Sequence, residues 1–333
     1  MSRGSRQARQ LAPIGTGLNA AVVIGIVRPF RPRRWSVPAV AAIWLAQCFI
    51  ATSPMAIDIL PLDYYPLPSG TNYTGLYYLY SQSDMLNMAG GGTIKDDTGL
   101  HTNLGVLRHT YYGDVDGRSW AVELIVPYGT TGGELAGTEL RRATGFGDVL
   151  LAAGISFLPH PEPIPVARNI ALVLYASLPT GNYSPGRTLN LGSNQSSFDT
   201  QLGYTQGFGH LWVDAAADLI LYTGNGNAGP NHGTLHEQPT YQGQVWLSFT
   251  PIENVPTSLV SVGYAAQFGG AESINQTSIG VKTESQQVRL AYSRYMGQFG
   301  FVTQVSRDVH VVGGFKQSFG LTLRATYRFG GAE

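Results

Sequence analysis

Alternation of apolar and polar side chains is the feature that most restricts the fold of this 333-residue chain. Within residues 211–222 the odd-numbered positions are all apolar up to Leu221, whereas Asp214 and Asp218 both occupy even-numbered positions. The same arrangement recurs within residues 315–329, where the basic residues occupy even-numbered positions. A helix would mix the two sets around its circumference, so a period of two predicts β-strands with one apolar and one polar face.

Twelve segments of this kind can be identified, and most have about ten residues, the length that a tilted strand needs to cross a bilayer. Charged residues make up 13% of the chain, roughly half the fraction found in an ordinary soluble domain. After residue 57 no apolar run reaches the ~20 residues of a transmembrane helix. The sequence therefore predicts an all-β fold, a closed antiparallel transmembrane β-barrel of about twelve strands. We predict strands near residues 73–81, 101–112, 118–126, 146–158, 168–178, 197–207, 211–221, 240–250, 257–268, 284–296, 299–308 and 315–329.

The connections between these segments alternate between long and short. Barrels of the bacterial outer membrane place long loops outside the cell and short turns in the periplasm. We therefore expect the long loops at the cell exterior and both termini in the periplasm. The connection at 309–314 breaks the alternation, because it is short where a long loop is expected. The predicted exterior loops are 82–99, 127–145, 179–196, 223–239 and 269–283.

The first 56 residues differ in charge from the rest of the chain. They hold seven Arg and no acidic residue, and subtracting them from the 21 basic residues leaves 14 against 21 acidic ones. An Arg cluster at 28–34, an apolar stretch at 37–50 and small residues at 51–56 follow one another. This order matches the three regions of a secretory signal peptide.

Processing of that segment defines the predicted domain boundaries. We predict cleavage near Ala56; a retained transmembrane anchor and a lipid-modified Cys48 are the alternatives. Cys48 is the only cysteine, so a processed chain contains no disulfide. The predicted parts are a signal segment at 1–56, an N-terminal segment at 57–71 in the periplasm or the lumen, and the barrel at 72–330.

The N-terminal segment at 57–71 is rich in Pro and Tyr and lacks alternation. We predict that it either fills the lumen as a hatch or forms a periplasmic tail. As a hatch it would offer stiff prolines and aromatic rings. The candidate hatch residues are Tyr64, Tyr65, Pro66 and Pro68.

Charged and aromatic residues on the polar faces are candidates for lining the lumen. Acidic candidates fall on the third to seventh strands, and basic ones fall on the tenth to twelfth. Opposite walls of opposite sign would create a transverse field across the lumen; alternatively, the charged groups pair and fill it. The candidates are Glu123, Asp148, Asp199, Asp214, Asp218, Arg289, Lys316, Arg324 and Arg328, with Trp212 and Trp246 as aromatic surface.

The last predicted strand carries Tyr327 and Phe329 on its apolar face, with four residues following Phe329. Such an ending resembles the insertion signal that the barrel-assembly machinery recognises, although the usual signal ends on the Phe itself. The alternative is an ordinary aromatic pair at a membrane girdle. Both interpretations require a barrel in the outer membrane.

Two stretches, GFGDVLLAAGISFLP at 145–159 and LVLYASLPTGNY at 172–183, resemble the outer-membrane family named for the meta-pathway of phenol degradation. The family's Gly-x-Gly-Asp start matches Gly145, Gly147 and Asp148, and its Leu-Pro-Thr-Gly strand end matches residues 178–181. PLPSGTNY at 66–73 is similar to the start of such chains, and the likeness extends over residues 60–329. The resemblance implies an outer-membrane channel or transporter, often associated with aromatic compounds, rather than an enzyme.

Signals for other functions are weak. GNGNAG at 224–229 fits a dinucleotide fingerprint only literally, because Pro230 follows and no βαβ unit surrounds it. His232 and His236 lie in a loop, so we predict no metal site and no cofactor. A hydrolase and a structural or adhesion barrel with a filled lumen remain alternatives. The expected partners are outer-membrane lipid, the assembly machinery and a small solute, and no nucleic acid.

Overall fold

The structure is a computed structural model that describes residues 50–51, 57–159, 168–253 and 255–331. Twelve antiparallel strands, β1 to β12, follow one another around a barrel in chain order. The fourth strand consists of two segments. The strands are β1 (Thr71–Asn87), β2 (Gly99–Val115), β3 (Arg118–Leu135), β4 (Thr138–Phe146 and Val149–Ser156), β5 (Arg168–Leu178), β6 (Ser197–Phe208), β7 (Leu211–Tyr222), β8 (Thr240–Phe249), β9 (Ser258–Gly269), β10 (Glu284–Met296), β11 (Phe299–Val312) and β12 (Gly314–Gly330).

The barrel closes because β12 pairs with β1 along nearly its whole length. The pairing extends from Thr71 opposite Gly330 to Asn87 opposite Gly314. Closure gives the first and last strands a partner on both sides, which removes the free edges that invite aggregation. The predicted closed antiparallel barrel is confirmed. The predicted signal segment lies outside the described residues, except for Ile50–Ala51.

No helix in the described part of the chain is long and apolar enough to cross a membrane.

Strand β8 shows most clearly why these sequences form a barrel wall. Gln242, Gln244 and Trp246 are buried inside, whereas Val245 and Leu247 are exposed on the outer surface. The polarity is therefore the reverse of that of a soluble protein: apolar side chains face outward and polar ones face inward. A strand between lipid and a polar lumen requires this arrangement.

The predicted loop at 127–145 is wrong, because β3 continues through it to Leu135. Ala136 and Gly137, both with positive φ, form a tight turn, and the chain returns as the first segment of β4. Likewise, β1 and β2 extend into the predicted loop at 82–99. These extensions lack a regular alternation of apolar and polar residues, so the sequence pattern does not mark them.

Strand β4 is interrupted at Gly147 and Asp148, where a continuous strand was predicted. The Phe146 amide donates to Asn182 Oδ1 (2.6 Å) instead of to a neighbouring strand. A Cβ at Gly145, whose φ is +147°, would lie 2.0 Å from the same oxygen. Glycine at this position therefore allows the loop after β5 to approach the wall.

The loops at the end of the barrel predicted to face the exterior carry short strands of their own. Two loops contribute to a four-stranded sheet in the order Asn225–Ala228, Gly233–Glu237, Glu272–Ile274 and Thr277–Ser278. Thr93–Ile94 extends the edge of β1, and Leu189–Asn190 pairs in parallel with Ile50–Ala51. Inside the outer end of the barrel lies an apolar cluster of Leu135, Leu140, Ala143 and Leu189.

Candidate functional site in the barrel lumen

The segment before β1, residues 57–70, lies inside the barrel as far as Leu67. The Ile59 amide donates to Gln244 Oε1 (3.1 Å), and its carbonyl accepts from Trp246 Nε1 (2.9 Å). The Tyr64 carbonyl accepts from Asn169 Nδ2 (2.9 Å). These wall side chains on β5 and β8 satisfy backbone groups of the segment that would otherwise be buried without a partner.

Two aspartates of the segment pair with arginines of the wall. Asp58 Oδ1 lies 2.7 Å from Arg289 Nη2 on β10. Asp63 pairs with Arg324 on β12 and lies 3.8 Å from Arg108 on β2. The segment is thereby attached to three separate strands around the lumen.

The aromatic candidates of the segment occupy different surroundings. The Tyr64 hydroxyl donates to Gln201 on β6, and its ring lies against Gly203, where a Cβ would be 2.0 Å from the ring. The Tyr65 ring has its centroid 5.8 Å from that of Trp212. Pro66 lines an internal cavity, whereas Pro68 is exposed. Pro68 therefore does not fill the lumen, because the segment has reached the end of the barrel there.

Three acidic candidates on β6 and β7 are buried. Asp214 accepts a hydrogen bond from Thr205 Oγ1 (2.5 Å), and Asp218 accepts one from Gln201. Neither oxygen of Asp199 has a hydrogen-bond partner among the described residues. None of the three is in an ion pair with a described Lys, Arg or His. Arg289 and Arg324 thus pair with the segment and not with these three aspartates.

Glu123 has a partner that the sequence analysis missed. Arg108 on the neighbouring strand contacts Glu123 Oε2 at 2.7 Å, and Thr110 Oγ1 donates to the same oxygen at 2.8 Å. Arg108 occupies the same face of β2 as Thr110, so alternation could have identified it. The irregular pattern at 101–112 left that face undecided.

Asp148 is not on a strand, contrary to prediction. It lies in the interruption of β4, where it accepts from the Gly181 amide (2.8 Å) and from the amide (2.8 Å) and hydroxyl (2.6 Å) of Ser193. It therefore fixes the loop after β5 and does not face the open lumen. Ser193 itself is buried.

Two basic candidates also differ from prediction. A register shift in the β1–β12 pairing reverses the alternation of β12, so that Phe315 packs against the internal apolar cluster and its neighbour Lys316 belongs to the opposite face. Arg328 lies at one end of the barrel, where its Nη2 donates to the Gly297 carbonyl (2.6 Å). Arg324 is the basic candidate of β12 that contacts the segment.

The two tryptophan candidates are completely buried. Trp246 packs in the central lumenal cluster with Ile59 and Tyr64, whereas Trp212 packs with Leu259. Both rings therefore contact the segment or its immediate neighbours. They lie in the part of the lumen that the segment fills.

A cavity occupies the lumen between the segment and strands β2 to β5. Its non-atom space, including its mouth, is about 670 Å³. Small inward-facing side chains on β3, β4 and β5 leave this room, and aromatic side chains complete the lining. The lining includes Ala121, Ala152, Ala171, Tyr112 and Tyr175.

The outer face carries the aromatic pair at the end of β12. Tyr327 and Phe329 are both 40% exposed, and their ring centroids are 5.6 Å apart. Phe299 stacks on the other side of Tyr327, with a centroid distance of 5.1 Å. This geometry fits a periplasmic aromatic girdle and an insertion signal equally well.

Histidines do not assemble a catalytic or metal site in the part of the chain described. His109 Nδ1 hydrogen-bonds Thr74 Oγ1 (2.9 Å). Thr74 alternates along β1 with residues that face the lumen, so this contact lies on the outer face of the barrel. His232 contacts Asn227 in an exterior loop. The described residues contain no group of three or more His, Cys, Asp or Glu placed to hold a metal ion.

Comparison with known proteins identifies the family. The sequence model of the family described as "Putative MetA-pathway of phenol degradation" matches residues 83–330. The chain belongs to this family. The resemblance seen in the sequence is therefore confirmed, and family membership covers nearly the whole barrel.

Solved structures place the barrel among outer-membrane channels. The chain is similar to an outer membrane channel from Pseudomonas putida F1, with 25% identity, a TM-score of 0.76, and coverage of 82% of this chain and 100% of that chain. The translocator domain of the autotransporter NalP from Neisseria meningitidis has 13% identity and a TM-score of 0.43, and the match covers 80% of this chain and 91% of that chain. The β domain of the Bordetella autotransporter BrkA has 8% identity and a TM-score of 0.40, and the match covers 78% of this chain and 100% of that chain. No curated protein matches the chain.

Proposed function

We propose that this protein is an outer-membrane channel or transporter for small hydrophobic or aromatic solutes. The observation that carries the proposal is the cavity beside the lumenal segment, lined by small and aromatic side chains. A closed barrel built only for strength would fill that space with side chains. Similarity to an outer membrane channel and membership of a family described by phenol degradation support the same conclusion.

The lining of the cavity suits a small apolar ring. Methyl groups of Ala121, Ala152 and Ala171 form one wall, and the rings of Tyr112 and Tyr175 form others. Ligand sites generally combine such apolar surface with a few polar groups that orient the ligand. Here Arg108 and Glu123 neutralise one another, so a neutral solute meets no uncompensated charge from that pair.

In this proposal residues 57–70 act as the hatch. The segment contacts the wall over much of the lumen, and the cavity remains open only on the side of β2 to β5. Movement of the segment would therefore widen the path along the barrel. Apolar side chains on the outer face would contact lipid of the outer membrane. Tyr327 and Phe329 would be recognised by the barrel-assembly machinery during insertion, after export through the predicted signal segment.

Uptake by reconstituted vesicles tests the proposal. We expect the purified protein to accelerate entry of phenol into liposomes and Ala152→Phe, which fills the cavity, to abolish most of that acceleration. Ala153→Phe is the matched control, because its side chain lies on the exposed outer face of the same strand. Equal phenol entry with the wild-type protein, Ala152→Phe and empty vesicles contradicts a channel for aromatic solutes.

A structural or adhesion barrel is the second candidate, and the packing of the lumenal segment favours it. Ile59, Leu60 and Tyr64 are all buried there, as the filling of a solid barrel would be. Single-channel recording on the wild-type protein and on a chain lacking residues 57–68 distinguishes the two. A structural barrel conducts only after its filling is deleted, whereas a channel with a movable hatch also opens in the wild-type form.

A further inference from the structure

The backbone at Ile57 is held at a defined position in the lumen. Its carbonyl accepts two hydrogen bonds of 2.9 Å, from Gln201 Nε2 on β6 and from Gln244 Nε2 on β8. The next residue, Asp58, is fixed by its ion pair with Arg289. Residue 57 is thus the point at which attachment of the segment to the wall begins among the residues described.

Two buried carboxyl groups lie beside this point. Asp199 and Ile57 line the same small cavity, and Asp199 is 6% exposed. Asp218, 5% exposed, accepts from the same Gln201 amide that donates to the Ile57 carbonyl. Neither carboxyl is in an ion pair with a described basic side chain. A buried carboxylate without a cation is strongly unfavourable, so each of these groups either takes up a proton or is stabilised by a positive charge beside it.

The sequence supplies a source for that charge. Cleavage of the predicted signal segment after Ala56 hydrolyses one peptide bond with one water, leaving a carboxylate on Ala56 and an amino group on Ile57. We infer that the mature chain begins at Ile57 and that its α-ammonium group, enclosed in the lumen, is the counter-ion of Asp199 and Asp218.

This assignment explains why the backbone at Ile57 is held beside Asp199 and Asp218. Neither export nor membrane insertion requires residue 57 to lie there. An extended chain advances about 3.3 Å per residue, so even two additional residues would move the ammonium group well out of the acidic site. An uncleaved chain has a neutral amide at the same place and leaves both carboxyls uncompensated. Full docking of the segment therefore follows processing, whether or not the barrel conducts a solute.

Identification of the first residue is the direct test. The full chain is expressed with its own leader, and the folded protein from outer membranes is analysed by N-terminal sequencing and intact mass. We expect Ile57 as the first residue. Any other first residue overturns the inference, and this test does not depend on any variant folding.

Amine reactivity tests the pairing itself. Acylating reagents attack only the neutral amine, and a carboxylate beside an amine favours the charged form. We expect the α-amino group to react at least about tenfold faster at pH ~7 in Asp199→Asn and Asp218→Asn than in the wild-type protein. Asp214→Asn is the matched control, about 13 Å along the strand from Asp218, and should react at the wild-type rate. Reaction of all four proteins at one rate overturns the pairing.

Discussion

Arg289 and Asp58 form an ion pair of 2.7 Å although 231 residues separate them along the chain. The arginine belongs to the wall and is 4% exposed, whereas the aspartate belongs to the segment inside the lumen. Asp63, which also belongs to the segment, forms an ion pair with Arg324 of the wall. The segment therefore provides the negative charge that neutralises one wall, and the acidic residues of the opposite wall have no part in that pairing.

Loss of the Asp58 carboxylate should loosen the segment. We expect Asp58→Asn to open the barrel more often in planar bilayers, because one charged contact to β10 is removed. A coupling of about 1 kcal/mol with Arg289→Gln corresponds to roughly a fivefold change in the open population. Asp96→Asn, at an exposed exterior residue, should conduct like the wild type. Additive effects of the Asp58 and Arg289 substitutions would show that the pair does not hold the segment.

The close approach of Tyr64 to Gly203 gives a second handle on the segment. Gly203→Ala places a methyl group where the ring now lies, so we expect it to displace the segment and raise conductance. Gly243→Ala on β8 is the control, since a Cβ there has no heavy atom within 4 Å. Adding Tyr64→Ala to Gly203→Ala makes room for the methyl group and should leave the remaining segment docked. If Gly203→Ala conducts like Gly243→Ala, the ring does not hold the segment in place.

Orientation can be tested with inserted protease sites on whole cells. We expect cleavage at sites placed within 88–98 and 270–276, which connect strands at the end predicted to face the exterior. A site between Asp116 and Gly117, in the turn between β2 and β3, should be cut only after the outer membrane is permeabilised. The reverse pattern would invert the barrel in the membrane.

The end of β12 should govern assembly more than stability. We expect Phe329→Ala to reduce several-fold the amount of folded barrel in the outer membrane, measured as the heat-modifiable band on gels. Phe319→Ala removes a comparably exposed ring from the same face of the same strand and is the matched control. Equal loss in both variants would indicate a general need for aromatic surface and no specific insertion signal.

The strands of the membrane region were predictable because lipid on one side and a polar lumen on the other impose period two. The predictions failed where this alternation ends. The hairpin from Leu135 to Thr138 lies in a stretch without alternation, and the interruption at Asp148 is made by a loop. Lys316 was assigned to the wrong face because a register shift is invisible in an alternating pattern.

The partners in the lumen were less accessible from the sequence than the strands. Asp58 and Asp63 lie in a stretch without periodicity, so nothing local indicates that they face Arg289 and Arg324. Such contacts are defined only once the barrel has closed around the segment. Gln201 was missed for a related reason: a neutral amide on a polar face is unremarkable until Tyr64 and Ile57 are seen to meet on it.

The segment is covalently continuous with β1 through Gly70, whose amide donates to the Tyr112 carbonyl (2.9 Å) and whose φ is +80°. A segment that leaves the lumen therefore remains tethered at the rim. For a short tether the effective local concentration is on the order of millimolar, independent of how many copies the membrane holds. Return to the lumen is a first-order process, so the lifetime of the open barrel is a property of each single molecule.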